Sequence, residues 1–156
     1  MTEKKLAGQL YDPTDDEIMR IQEGTTTIGN HSHAGDAGIK TLIFPDSVRE
    51  IGVGAFAGCG ELEKVTLNEG LIRLRKEVFS GCVSLREINI PGTLESIGEW
   101  AFRDCRSLRV LELPPGVTEI CEEAFLSCPQ LTIRAEKGTY AAEYAARHGI
   151  RLQPEE

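Results

Sequence analysis

LREINIPGTLESIGEWAFRDC, residues 85–105, decides the fold. Leu85, Ile88 and Ile90 alternate with Arg86, Glu87 and Asn89, as in a strand with one buried face. Pro91 ends that strand, because it has no N–H for a further ladder bond. Leu94 and Ile97 mark a second extended piece. Ala101, Phe102 and Cys105 have the spacing of a single buried helical face, which predicts a short helical turn over EWAFRDC. Its last five letters are not unique. AFAGC begins at residue 55, VFSGC at 78, AFRDC at 101 and AFLSC at 124, always 23 residues apart.

Whole columns recur with that word, without an insertion. Phe56, Phe79, Phe102 and Phe125 form one, and Cys59, Cys82, Cys105 and Cys128 another. Leu62, Leu85, Leu108 and Leu131 make a third, and Ile51, Leu74, Ile97 and Ile120 a fourth. Val48, Leu71, Leu94 and Val117 add a looser fifth. A single unit of this size cannot bury its own apolar edge, whereas a stack of units can. Each column then becomes a file through the core, with strands about 4.8 Å apart. The reading is a mainly β solenoid with a parallel sheet on one face, short helical turns and a C-terminal capping helix.

The unit resembles the BspA-type leucine-rich repeat, LxxIxIPxxVxxIGxxAFxxC, over residues 39–133. The resemblance implies a right-handed leucine-rich solenoid of about five rungs. A decayed copy keeps the register upstream: Met19, Ile21, Thr25, Ile28 and Gly29 lie one repeat before Leu42, Phe44, Val48, Ile51 and Gly52. There His33 holds the Phe slot and Asp36 the Cys slot, as suits a terminal repeat. The expected organisation is a leader or cap at 1–15, repeats at 16–138 and a cap at 139–156. The repeats divide as 16–38 (degenerate), 39–61, 62–84, 85–107, 108–130 and 131–138 (partial). KGTYAAEYAARHGIRL resembles the tail that closes such arrays. Tyr140 and Tyr144 would face the last repeat, and Gly149 would end the helix in a left-handed cap. Asn68 departs from the proline column, and Arg75 and Cys121 depart from the glycine slot of Gly52 and Gly98.

Composition narrows the function classes. Hydrophobic residues make up 40% and aromatics 6%, so the core must be aliphatic with chosen aromatic positions. The net charge of -8 opposes phosphate backbones and anionic headgroups, which argues against nucleic acid as a partner. No apolar run approaches the roughly 20 residues needed to span a bilayer, so no membrane insertion is expected. The start has no apolar h-region. The expected location is the cytoplasm or, if a leader is missing, the cell surface or outside.

Catalytic signals are thin, and no cofactor motif is present. Four of the five cysteines form the repeat column and read as buried thiols. Cys121, the fifth, takes a turn slot and should be partly exposed, with a stray disulfide as its alternative. His31, His33 and Asp36 offer a metal-site reading, against a plainer one in which His33 covers the end of the stack. KLAGQLYDP, residues 5–13, is similar to the opening of the maltose and galactoside O-acetyltransferases, where it starts a helical cap. Here it would be a leader folding over the first repeat through Leu6, Leu10 and Tyr11.

The surface left for function is the outward face of the sheet: Lys40, Thr41 and Ile43; Glu63, Lys64 and Thr66; Arg86, Glu87 and Asn89; Arg109, Val110 and Glu112. Opposite charges on adjacent rungs, Lys40 by Glu63, Glu63 by Arg86 and Lys64 by Glu87, either keep strands compatible or form a mixed-charge docking face. Trp100 fills a slot held by Gly54, Glu77 and Glu123 in the sister copies. It is either an interface anchor or a ring lying flat across its neighbours' stems. The expectation is a non-catalytic protein-interaction or scaffold module, possessing a protein partner of unspecified identity. The family resemblance implies bacterial origin and often adhesion. The rival is an enzyme, acyltransferase-related or centred on His31 and His33 as a metal site.

Overall fold

Each repeat turns into a coil because a short apolar-centred strand is followed by residues that cannot continue it. The computed structural model describes the backbone of Lys4–Leu6, Gln9–Tyr11 and residues 17–155, with side chains from residue 17 onward. Its elements in chain order are β1 (Lys4–Leu6), β2 (Gln9–Tyr11), β3 (Ile18–Ile21), β4 (Thr27–Ile28), β5 (Thr41–Ile43), β6 (Glu50–Ile51) and β7 (Lys64–Thr66). They continue as β8 (Arg73–Leu74), β9 (Glu87–Asn89), β10 (Ser96–Ile97), β11 (Val110–Glu112), β12 (Glu119–Ile120), β13 (Thr132–Glu136), α1 (Tyr140–Arg147) and β14 (Arg151–Glu155).

From β3 to β9 the first strand of each repeat pairs in parallel with its copy one rung on, and the ladder breaks between β9 and β11. Thr41 faces Lys64, and Lys64 faces Glu87. One sheet runs β1-β2-β3-β5-β7-β9 and a second β11-β13-β14. The shorter second strands stack separately, as β4-β6 and β8-β10-β12. Between the two stacks lies one continuous core. Val48, Leu71, Leu94 and Val117 are wholly buried, and the Ile51, Leu74, Ile97, Ile120 column is buried throughout. No helix among the described residues is long and apolar enough to cross a membrane.

The file of rings is present as expected. Phe56 and Phe79 are stacked at 5.9 Å, Phe79 and Phe102 at 5.8 Å, and Phe102 and Phe125 at 5.5 Å. His33 extends the file, nearly parallel to Phe56 at 5.5 Å. Tyr144 of α1 closes the other end, edge-on to Phe125 at 6.2 Å.

The turn over EWAFRDC is not a turn of helix. It is a run of i to i+3 backbone bonds, Ala101 N–H to Gly98 and Arg103 N–H to Trp100, with Trp100 and Asp104 at left-handed φ of 58° and 62°. Left-handed residues cannot propagate a right-handed helix. The same two slots hold Gly54 and Gly58 one repeat pair earlier, also at positive φ, where glycine has no steric penalty.

Both ends differ from simple repetition. The described residues of the leader are strand, not helix. β1 pairs antiparallel with β2, and β2 antiparallel with β3 through Gln9 and Ile21, so it extends the sheet past the first rung. The expected contact of Leu6, Leu10 and Tyr11 side chains with the first repeat lies outside the described residues. At the other end the rung slips: Leu111 faces Ile133, one position short of the repeat. Helix α1 then replaces the next turn. Thr139 caps it, its Oγ1 accepting from the Ala142 N–H at 3.2 Å, and Gly149 follows it at a left-handed φ of 67°. The chain returns as β14, which adds a further parallel strand beside β13.

Candidate protein-binding face

The outward positions of the sheet are those expected from the alternation. In β5 Leu42 points inward between Thr41 and Ile43, and Val65, Ile88 and Leu111 hold that place in β7, β9 and β11. Lys64, Arg86, Glu87, Asn89, Arg109 and Glu112 are exposed, while Lys40, Thr41, Glu63 and Thr66 are half-buried.

Most of the charges on this face neutralise one another. Arg86 contacts Glu63 at 2.9 Å and Lys64 lies 4.0 Å from Glu87, both one rung apart. Lys40 pairs with Glu17 of the preceding rung at 3.1 Å, instead of with Glu63. Glu17 lies in the degenerate first copy, and the face positions aligned from the later repeats do not include it. Asn89 is held too: its amide donates to the Leu67 carbonyl at 3.0 Å and its oxygen accepts from the Leu67 N–H at 2.8 Å. Arg109 differs. It has no ion pair or side-chain hydrogen bond among the described residues. Beside it Val110 is 48% exposed, a large apolar side chain presented on the strand face. The face also runs on to Thr132, Arg134 and Arg151 of the last two strands, which the repeat pattern does not reach.

Trp100 is half-buried on the turn side. Its ring lies between Lys76, 5.2 Å from the centroid, and Arg103 at 4.8 Å, and its Nε1 donates to Glu123 at 3.0 Å. The ring is thus in contact with the charged ends of Lys76 and Arg103.

The cysteine column stitches rung to rung. The Cys59, Cys82, Cys105 and Cys128 thiols donate to the carbonyls of His33, Phe56, Phe79 and Phe102 at 3.0–3.3 Å. Burial pushes Cys59 and Cys128 up to about 11, and Cys82 and Cys105 further upward. These thiols therefore stay protonated and unreactive at neutral pH. Cys121 is partly exposed, and all five cysteines are free.

His33 is 4% exposed and committed to the ring file. His31 is exposed at a left-handed φ of 54°. Among the described residues, no three His, Cys, Asp or Glu side chains converge as a metal site. His33 Nδ1 faces Asp36 Oδ2 at 3.6 Å, and its Nε2 is buried without a partner. Burial lowers its pKa from the ordinary 6.5, against the opposing pull of Asp36. The unfolded chain binds a proton near pH 6.5 that the folded chain resists. Stability is thus full above that pH and falls as the pH drops toward the lowered value. His33→Phe is expected to flatten this acid branch and to raise the unfolding free energy at pH 5 relative to the native chain. Urea titrations at a series of pH values measure it, and equal acid branches in both proteins would refute it.

The repeat geometry matches known chains. The BspA type Leucine rich repeat region matches residues 15–140 in six copies, one more than the five full rungs expected. Among solved structures, a leucine rich cell surface protein from Faecalibacterium prausnitzii superposes with a TM-score of 0.77 at 29% identity. The match covers 88% of this chain and 40% of that one. A leucine rich repeat protein of T. pallidum gives a TM-score of 0.73 at 30% identity, over 85% of this chain and 70% of that one. A leucine-rich repeat protein from Bacteroides ovatus gives 0.71 at 29%, over 85% and 38%. The chain thus spans well under half the length of the first and third of these. No curated protein matches it. With its columns, its ring file and its six matched copies, the chain belongs to the BspA-type leucine-rich repeat family.

Proposed function

We propose that this chain is a non-catalytic recognition module, adhesin-like and acting at a cell surface, that binds a protein partner through the outward face of its parallel sheet. The observation that carries the reading is that face itself. Successive rungs present Thr41, Lys64, Glu87 and their neighbours in strict register on a rigid core, so a partner meets a fixed array of side chains. A cell surface protein among the similar structures supports the location. The enzyme reading gains nothing from the leader, which is strand where the acetyltransferases have helix, or from His33, whose ring belongs to the core file.

The test keeps the fold and changes the face. Glu63→Arg with Arg86→Glu, and Lys64→Glu with Glu87→Lys, reverse two ion pairs without breaking them. The melting temperature is expected to hold, while proteins captured by the native chain from its own cells are lost. Equal capture by both forms would defeat the sheet-face reading.

A further inference from the structure

The turns of this solenoid are bonded to one another in a fixed direction. The His33 N–H donates to Ala55 one rung on, Phe56 to Val78, Phe79 to Ala101 and Phe102 to Ala124. A parallel series runs from Gly35 to Ala57, Gly58 to Ser80, Gly81 to Arg103 and Asp104 to Leu126. The next donors in the two series are Phe125 and Ser127. Neither N–H has a partner among the described residues. One repeat beyond their predecessors' acceptors, the chain is the last turn of α1 and its left-handed cap, so no turn lies there to receive them.

The result is an open groove of about 1030 Å³ between the corner at Ser127–Gln130 and the return at His148–Arg151. Arg109 and Arg151 line it, and both are exposed with no ion pair or side-chain hydrogen bond among the described residues. Phe125 and Ser127 line it as well. The Cys128 thiol also lines it, and His148, held by Glu122 at 3.0 Å, forms part of its other wall. In a chain of net charge -8, two free guanidinium groups and two free amides form a local concentration of donors. Three of the four cations expected on the sheet face are already paired, and Arg109, the fourth, opens on this groove.

We infer that this groove binds an acidic, extended peptide segment of the protein partner. This rests on the recognition reading above and adds its chemistry. Backbone carbonyls two residues apart in the peptide take the Phe125 and Ser127 N–H groups, as the carbonyls of Ala124 and Leu126 do for Phe102 and Asp104. Carboxylates of the peptide pair with Arg109 and Arg151, whose planar donors suit bidentate contact. A second copy stacked end-on fits less well, because α1 already covers the rest of the last rung: Tyr144 lies over Phe125 and its hydroxyl donates to Cys121. Only the corner stays open, which admits a single strand of chain but not a whole rung.

The probe is hexaglutamate, followed by fluorescence anisotropy and by the amide signals of the full chain. Hexaglutamate is expected to shift the Phe125 and Ser127 amides and to bind more weakly as salt is added, while hexalysine and an uncharged Gly-Ser peptide do not bind. Arg109→Gln with Arg151→Gln is expected to weaken binding at least tenfold. Unmoved Phe125 and Ser127 signals, or undiminished binding by the double variant, would overturn the inference. So would equal shifts from free glutamate at matched carboxylate concentration, which would mark a small-anion site. Self-association in light scattering that the double variant abolishes would reassign the groove to a second copy. The pair-reversed sheet variants leave the groove intact. If hexaglutamate fails while those variants still lose the captured proteins, the groove falls and the sheet-face reading stands.

Discussion

Replacing Phe79 with alanine is expected to lower the unfolding free energy by about 3–5 kcal/mol. The ring is fully buried and has a stacked ring on each side, at 5.9 and 5.8 Å. Stacked pairs of this kind add roughly 0.5–1.5 kcal/mol beyond their buried area. Losing one ring therefore leaves a cavity and also breaks two contacts. In a solenoid each rung is held by its neighbours alone, so a weakened middle rung also loosens the coupling between the two halves of the coil. Domains of this size hold about 5–15 kcal/mol in all. Urea unfolding followed by circular dichroism is expected to show a lower midpoint and a broader transition. Phe125→Ala should cost less, because that ring is 7% exposed and its outer neighbour is the edge-on Tyr144. If Phe79→Ala cost less than Phe125→Ala, the file would not be acting as the spine of the core.

The spine was legible in the sequence because it depends on period alone. A column such as Leu62, Leu85, Leu108 and Leu131 needs no knowledge of turn geometry to be recognised, and all four are buried. What the sequence concealed falls where the period fails or where backbone outweighs side chain. β1 and β2 lie before the first repeat, so no recurring column marks them. β14 contains Pro154, which reads against a strand, yet proline is tolerated on edge strands, and β14 is the outermost strand of its sheet. By residue type the cysteine column consists of small hydrophobes, yet each thiol is also a donor to the preceding rung. That role depends on where a carbonyl points, which residue types do not reveal. The sheet face was legible as positions but not as free charge. Glu17 was needed to see that Lys40 is taken, and Arg151 to see that Arg109 is not alone. The groove is a backbone feature: it comes from N–H groups left over when α1 replaces a turn, and no letter of the sequence marks them.

Tyr144→Ala is expected to release α1 from the end of the solenoid, with a loss of about 3–5 kcal/mol and the onset of self-association. Tyr144 is 1% exposed. Its ring meets Phe125 at 6.2 Å and stacks on His148 at 3.9 Å. Its hydroxyl donates to the Cys121 carbonyl at 2.8 Å, with the Glu122 carbonyl at 3.0 Å. The other buried positions of α1 are alanines, Ala141, Ala142 and Ala145, which have little area with which to hold the helix down. The helix is only eight residues long, too short to persist without packing. Without the cap, the Phe125 ring and the outer side of the last turn become an exposed apolar end, the kind of surface that terminal repeats exist to cover. Tyr144→Phe separates the two contributions: it keeps the ring contacts and loses the hydroxyl bonds, at a cost of about 1 kcal/mol. Thermal melts with light scattering at two concentrations measure both variants. A Tyr144→Ala protein that melted with the native chain and stayed monodisperse would mean that the solenoid's end is secured by β14 and its pairing with β13, with α1 merely resting on it.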